Sequence, residues 1–189
     1  MLRRDLCHAL LLLSGLAATA CGGAADDGMI DAAAGVACGG FAGDTCAATE
    51  YCDFSRNTCG ATDEQGVCVP RPTACPDLLV AIPTCGCDAV VYGSPCDAAA
   101  AGADLDDLGG CPVDADHFAC GHAICGVRTS YCRHEVSDVV GEPDAFACVP
   151  APAACPSGAP ACGCLSAEPC GDACTGDSAT GVTLTCPGG

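Results

Sequence analysis

The stretch HFACGHAICGVRTSYCRH places His117, Cys120, His122, Cys125, Cys132 and His134 close together along the chain. Imidazole nitrogen and thiolate sulfur are ligands that zinc accepts. The first half of the chain carries Cys38, Cys46 and Cys52 in the corresponding places without any histidine, so the histidines are not needed by the unit that holds these cysteines. Oxidation would also consume the thiolates, and neither a metal site nor a cofactor is expected. The run Asp104-Leu105-Asp106-Asp107 lacks the ligand loop of an EF-hand and is expected to be a solvated acidic loop. No Gly-x-Ser-x-Gly, Walker loop or His-Glu-x-x-His occurs, and nothing in the sequence places a Ser, a His and an Asp together. The expected chemistry is therefore non-catalytic, and it lies in the cysteines.

Composition shows what must hold such residues in place. The chain has 189 residues with 22 cysteines, no Trp, 4 Phe, 3 Tyr and 2 Met. So few large apolar side chains cannot offset chain entropy by packing alone, which leaves covalent cross-links to supply the difference. A formal net charge of −18, with 6 basic residues against 24 acidic ones, argues against a nucleic-acid partner and against a polybasic membrane patch. The fold class expected is small and disulfide-rich, mostly irregular, with a short helix and a small β-hairpin in each of two modules.

The modules show themselves as a repeat. Ten cysteines run from Cys38 to Cys111 and ten from Cys120 to Cys186. Cys52 to Cys68 spans 16 positions, as does Cys132 to Cys148. Cys68-Val-Pro-Arg-Pro-Thr-Ala-Cys75 matches Cys148-Val-Pro-Ala-Pro-Ala-Ala-Cys155, and Cys-Gly-Cys follows in both. Nine cysteines correspond across the halves. Cys59 is extra in the first, facing Val139, and Cys174 is extra in the second, facing Ala100. Residues 38–111 and 120–186 are the two modules, with 112–119 as the joint. Asp97 to Gly102 predicts a short helix and Val90-Val91-Tyr92 a short strand.

The N-terminus reads as an address. Arg3 and Arg4, the apolar run Leu10 to Leu16, and Ala18-Thr19-Ala20 form an export signal over residues 1–20. Cys21 follows, and the sequence around it resembles the lipobox of bacterial lipoproteins, departing from it at Ala18 where leucine is preferred. The resemblance implies a lipid on Cys21, a stalk over 21–37, and attachment to the bacterial cell envelope. Losing Cys7 and lipidating Cys21 leaves an even 20 of the 22 cysteines. Ordinary cleavage would instead give a secreted chain with one odd thiol. Export supplies the oxidising compartment that disulfides need.

Cys85-Gly86-Cys87-Asp88-Ala89-Val90-Val91-Tyr92-Gly93-Ser94-Pro95-Cys96 resembles the signature of Kazal-type domains in its cysteine spacing and at Gly86, Asp88 and Tyr92. The likeness covers 68–111 and, in degraded form, 148–186. The stretches before them are similar to the Cys-rich hairpin of follistatin-like modules. Ala89, Val91 and Ser94 depart from the signature, Ala99 stands where the family has its fifth cysteine, and Cys87 is additional. The resemblance implies the bonds Cys75–Cys96 and Cys85–Cys111, with Cys87 turning upstream to Cys68 or to one of Cys38, Cys46 and Cys52. In the second copy it implies Cys155–Cys170 and Cys162–Cys186, and leaves Cys174 for Cys148. Many such domains inhibit serine proteases through a rigid loop. The specificity position maps to Asp77, before Leu78, and in the second copy to Ser157, before Gly158. An acidic residue there is repelled by a trypsin-like pocket, and neither loop has the length usual in inhibitors. The function expected is a structural or recognition module at the cell envelope, binding another surface protein, with inhibition of a serine protease through Asp77–Leu78 as the alternative.

Overall fold

The computed structural model describes residues 35–77, 81–156 and 159–188. The export signal, Cys21 and its lipid, and all but the end of the stalk lie outside the described residues. So do Leu78, Ser157 and Gly158.

The first half opens with a small antiparallel sheet of β1 (Ala37–Gly39), β2 (Glu50–Asp53) and β3 (Gln65–Pro70), in the order β1-β3-β2. Along β3, Gly66 and Cys68 point inward while Gln65 and Val67 face out, the alternation expected of a half-buried strand. Cys38–Cys52 and Cys46–Cys68 staple this sheet. Then follow β4 (Thr84–Cys85), its antiparallel partner β5 (Val91–Tyr92), and helix α1 (Pro95–Ala101).

Helix α1 begins two residues before the stretch expected to be helical. Ser94 caps it by accepting from the Asp97 amide at 3.2 Å, and Pro95 occupies the first turn, where its missing N–H costs nothing. The alanines carry no β-branch to oppose the helix, and Gly102 ends it at φ 96°. Ser94→Ala is expected to lose about 1 kcal/mol of stability, the usual worth of an N-cap. A urea titration reads this as a lower midpoint at unchanged slope.

The second half contains β6 (His117–Cys120), β7 (Ala123–Gly126), β8 (Ser130–Val136), β9 (Ala145–Pro150), the single helical turn α2 (Cys162–Leu165), β10 (Cys174–Asp177) and β11 (Gly181–Pro187). One sheet runs β10-β11-β8-β9, with β11 and β8 parallel. The other runs β5-β4-β7-β6 and crosses from one half to the other. The joint expected over 112–119 is therefore partly strand, since β6 starts at His117.

The repeat is visible in the backbone. Cys52 stands opposite Cys68 in the β2–β3 hairpin, and Cys132 opposite Cys148 in β8–β9. Within each pair the two cysteines bond elsewhere, and in the same pattern: Cys120–Cys132 and Cys125–Cys148 repeat the two staples of the first half. The cores differ. The buried apolar residues of the first half are cystines and small alanines. The second half packs Tyr131, Leu165, Val182 and Leu184 into one cluster and Phe118, Ala123 and Val127 into another.

Three more bonds close the first half: Cys75–Cys96, Cys85–Cys111 and Cys59–Cys87. The first two are the pairings the resemblance implies. The third corrects the expectation for Cys87: Cys38, Cys46, Cys52 and Cys68 are satisfied among themselves, which leaves Cys59. In the second half the implied pairings do not occur. Cys155 bonds Cys164, Cys162 bonds Cys174, and Cys170 bonds Cys186, while Cys148 is held by Cys125. The change accompanies one missing cysteine and one added one. Val139 stands where the first half has Cys59, so Cys164, the counterpart of Cys87, lacks an upstream partner and takes Cys155. Cys170 is then free for Cys186, and Cys162 is left to the extra Cys174.

The described residues are thus those of a small, disulfide-rich protein, with ten disulfides, few helices and small sheets in largely irregular backbone. Among the described residues no helix is long and apolar enough to cross a membrane.

Candidate functional site

The loop from Cys75 to Cys85 is pinned at both ends, by Cys96 on α1 and by Cys111. Asp77 is exposed near its start, and Ala81, Ile82 and Pro83 are exposed near its end. Beyond Pro83 the loop becomes a strand of the shared sheet. The Pro83 carbonyl accepts from the Ile124 amide at 2.8 Å, the Cys85 amide donates to the His122 carbonyl at 2.7 Å, and the Thr84 hydroxyl donates to the same carbonyl at 3.1 Å. The second half therefore holds the outgoing end of the first half's loop.

The second loop is built differently. Cys155 is buried and tied to Cys164, Pro160 is fully buried, and the chain then enters α2 rather than a strand. The two candidate loops are not presented alike.

The signature residues Gly86, Asp88 and Tyr92 form one unit. The Tyr92 hydroxyl donates to Asp88 at 2.6 Å, which raises the tyrosine pKa. A side chain at position 86 would meet both the Asp88 carboxylate and the Tyr92 ring at 2.8 Å, so only glycine fits. Ala89, a departure from the signature, adopts φ 61°, a conformation that glycine takes more readily.

The histidine cluster does not assemble as a ligand set. Cys120, Cys125 and Cys132 are in disulfides, and each histidine faces its own aspartate. His117 Nδ1 lies 2.7 Å from Asp114, His122 Nδ1 2.6 Å from Asp107, and His134 Nε2 2.6 Å from Asp144. His134 also stacks on Phe146, with ring centroids 4.5 Å apart. Its hydrogen bond is the main cause that holds the Asp144 carboxyl below its ordinary range. Cys38, Cys46 and Cys52 bring their sulfurs within 4.8 Å of one another, but these are the sulfurs of two adjacent disulfides.

The acidic run departs most from expectation. It is not a solvated loop: Asp104 and Asp106 are each 6% exposed, and the Asp107 side chain 8%. Its backbone threads between Thr58 and Gly86 as two single-residue bridges, Thr58 to Asp106 and Gly86 to Leu105. The carboxylates bind what surrounds them. Asp104 accepts from the Phe54 amide at 2.9 Å, joining the run to the first hairpin. Asp106 accepts from the amides of Leu108 and Gly110, both at 2.8 Å, and so closes the turn before Cys111. Asp107 accepts from the Asn57 side chain and the His122 amide at 2.8 Å and faces the His122 ring. It thus ties the first hairpin, the run and the second half together. Gly121 makes the approach possible, because a side chain there would strike the Phe146 ring and come within 2.7 Å of the Asp107 carboxylate.

Burial pushes the Asp104 carboxyl up to about 6, and the charges of Asp53 and Asp107 add to the effect. The Phe54 and Leu105 amides oppose it. The position of the run between Cys87 and Cys111 is the trace of this burial in the sequence, and it does not name the groups that close around the carboxylates.

Comparison with protein-family models, with curated proteins and with solved structures gives no match to this chain.

Proposed function

We propose that the protein is a non-catalytic, Kazal-like recognition module at the bacterial cell envelope, exported and held there by a lipid on Cys21. The observation that carries this reading is the covalent closure of both halves. Ten disulfides hold the described chain, a density typical of proteins outside the reducing cytosol. Such cross-linking keeps a binding surface in one conformation, so little entropy is lost when a partner docks. The three histidine–aspartate pairs support a structural rather than catalytic use of those side chains.

One feature favours a second reading, inhibition of a serine protease. Asp77 is exposed and its loop is pinned at both ends by disulfides, features that a substrate-like loop requires. A panel of trypsin-like, chymotrypsin-like, subtilisin-like and acid-specific serine proteases, assayed with the oxidised full chain and with Asp77→Ala, separates the two. The expected result is no tight inhibition of any enzyme by a protein that itself survives digestion. Tight inhibition lost in Asp77→Ala would overturn the leading reading in favour of the second.

A further inference from the structure

The shared sheet has a face that neither half forms alone. Its register places Val91 opposite Cys85 and Ile124 opposite Ala119, with Pro83 and His117 two residues along from members of those pairs. All of these side chains project to one side, because alternate residues of a strand do so. The joint segment from Pro112 to Asp114 crosses one end. The result is a groove of about 280 Å³ lined by Pro83, Val91, Val113, Asp114, His117 and Ile124. Pro83 and Val91 come from the first half, Ile124 and His117 from the second. Val91 and Val113 are 41% and 39% exposed, apolar side chains that face solvent within one concavity.

Size and charge narrow what could fill it. This groove is at the small end of ligand pockets, which run to about 300–1,000 Å³, and has room for an aliphatic side chain of a longer partner. Its one carboxylate wall, Asp114, is kept below the ordinary carboxyl range by the His117 ring and by the Asp116 amide, and so stays ionised well into acid. Asp116, exposed and two residues along the chain, adds a second carboxylate close in sequence to the groove's lining residues Asp114 and His117. None of the described arginines lines the groove. The chain as a whole carries −18. An acidic rim on an acidic molecule attracts a basic partner and repels an acidic one.

The geometry points to this groove as a docking site for an extended basic segment of a partner protein, which inserts an aliphatic side chain between Val91, Val113 and Ile124 and sets lysine or arginine against Asp114 and Asp116. The inference rests on the recognition reading above and names its surface and partner class. It also gives the tandem arrangement a purpose, since one copy cannot build the groove.

The test is a titration of isotope-labelled, oxidised full chain with three short peptides centred on Arg-Leu-Arg, Arg-Ser-Arg and Glu-Leu-Glu, followed by amide shifts. The Arg-Leu-Arg peptide is expected to bind at least about tenfold more tightly than either other, a gap of about 1.4 kcal/mol. The shifts should centre on Val91, Val113 and Ile124. Val113→Lys and, separately, Asp116→Lys should each weaken binding about tenfold with the urea midpoint unchanged. Equal binding of Arg-Ser-Arg would mean charge attraction without a groove and would overturn the inference. Shifts at Asp77 that leave Val113 unmoved would overturn the groove and leave the recognition reading standing. No peptide binding, together with Asp77-dependent protease inhibition, would overturn both.

Discussion

Asp107→Ala is expected to lower stability by about 2–4 kcal/mol, because it strips the acceptor from three donors at once in a place water reaches poorly. The Asn57 amide, the His122 backbone N–H and the His122 ring all lose their partner. The damage should appear first at the joint. Hydrogen exchange at the Ile124 and Cys85 amides, which pair β4 with β7, should quicken more than exchange within β8 and β9. Asp107→Asn keeps one acceptor oxygen and should recover part of the loss. Uniform acceleration across both halves, or none, would show that Asp107 is not what couples them.

Asp104→Asn is expected to act in the opposite direction. A carboxyl whose folded pKa is raised from 3.8 to about 6 favours the folded state when protonated. Its stabilising contribution is complete below pH 3.8 and is lost as pH rises through about 6. At neutral pH the buried charge therefore works against the fold. Each pKa unit is worth about 1.4 kcal/mol, and solvent screening reduces the total, so the asparagine should gain on the order of 1–2 kcal/mol at pH 7.5. Its amide oxygen can still accept from Phe54. Urea midpoints measured from pH 4 to pH 8 should show the variant ahead at the alkaline end and level with the parent near pH 4. A constant offset across that range, or a loss at pH 7.5, would refute the assignment.

What the sequence made legible was local. Asp97, the alanines and Gly102 mark the helix, although it starts two residues earlier at Pro95, and Val90-Val91-Tyr92 marks the strand before it. The equal spacing of Cys52–Cys68 and Cys132–Cys148 marks the same hairpin twice, although it does not say that each cysteine bonds elsewhere. What stayed hidden depends on which surfaces meet. The six cysteines from Cys155 to Cys186 allow about 15 pairings, and spacing does not choose among them once Val139 removes one partner and Cys174 adds another. The acidic run resembles a solvent-facing loop in composition because nothing local records that Thr58, Gly86 and His122 will close around it. The candidate site shows the same division. Asp77 and the two disulfides that pin its loop are implied by the resemblance to Kazal-type domains, whereas the groove beside Pro83 arises only when β7 of one half pairs with β4 of the other.

That pairing has a mechanical consequence. If the chain were pulled from its ends, load would enter at Cys38, cross to Cys52, follow the backbone to Cys59, jump to Cys87, step back to Cys85 and leave through Cys111. In the second half it would pass from Cys120 to Cys125, across to Cys148, on to Cys155, across to Cys164, and from Cys170 across to Cys186. Most residues of each half lie on closed loops that bear no tension. Among the described residues no disulfide crosses the seam between β4 and β7, since each closes within its own half. Under force the molecule would open there, by the length of the joint and little more, and then behave as a short tether of nearly fixed length.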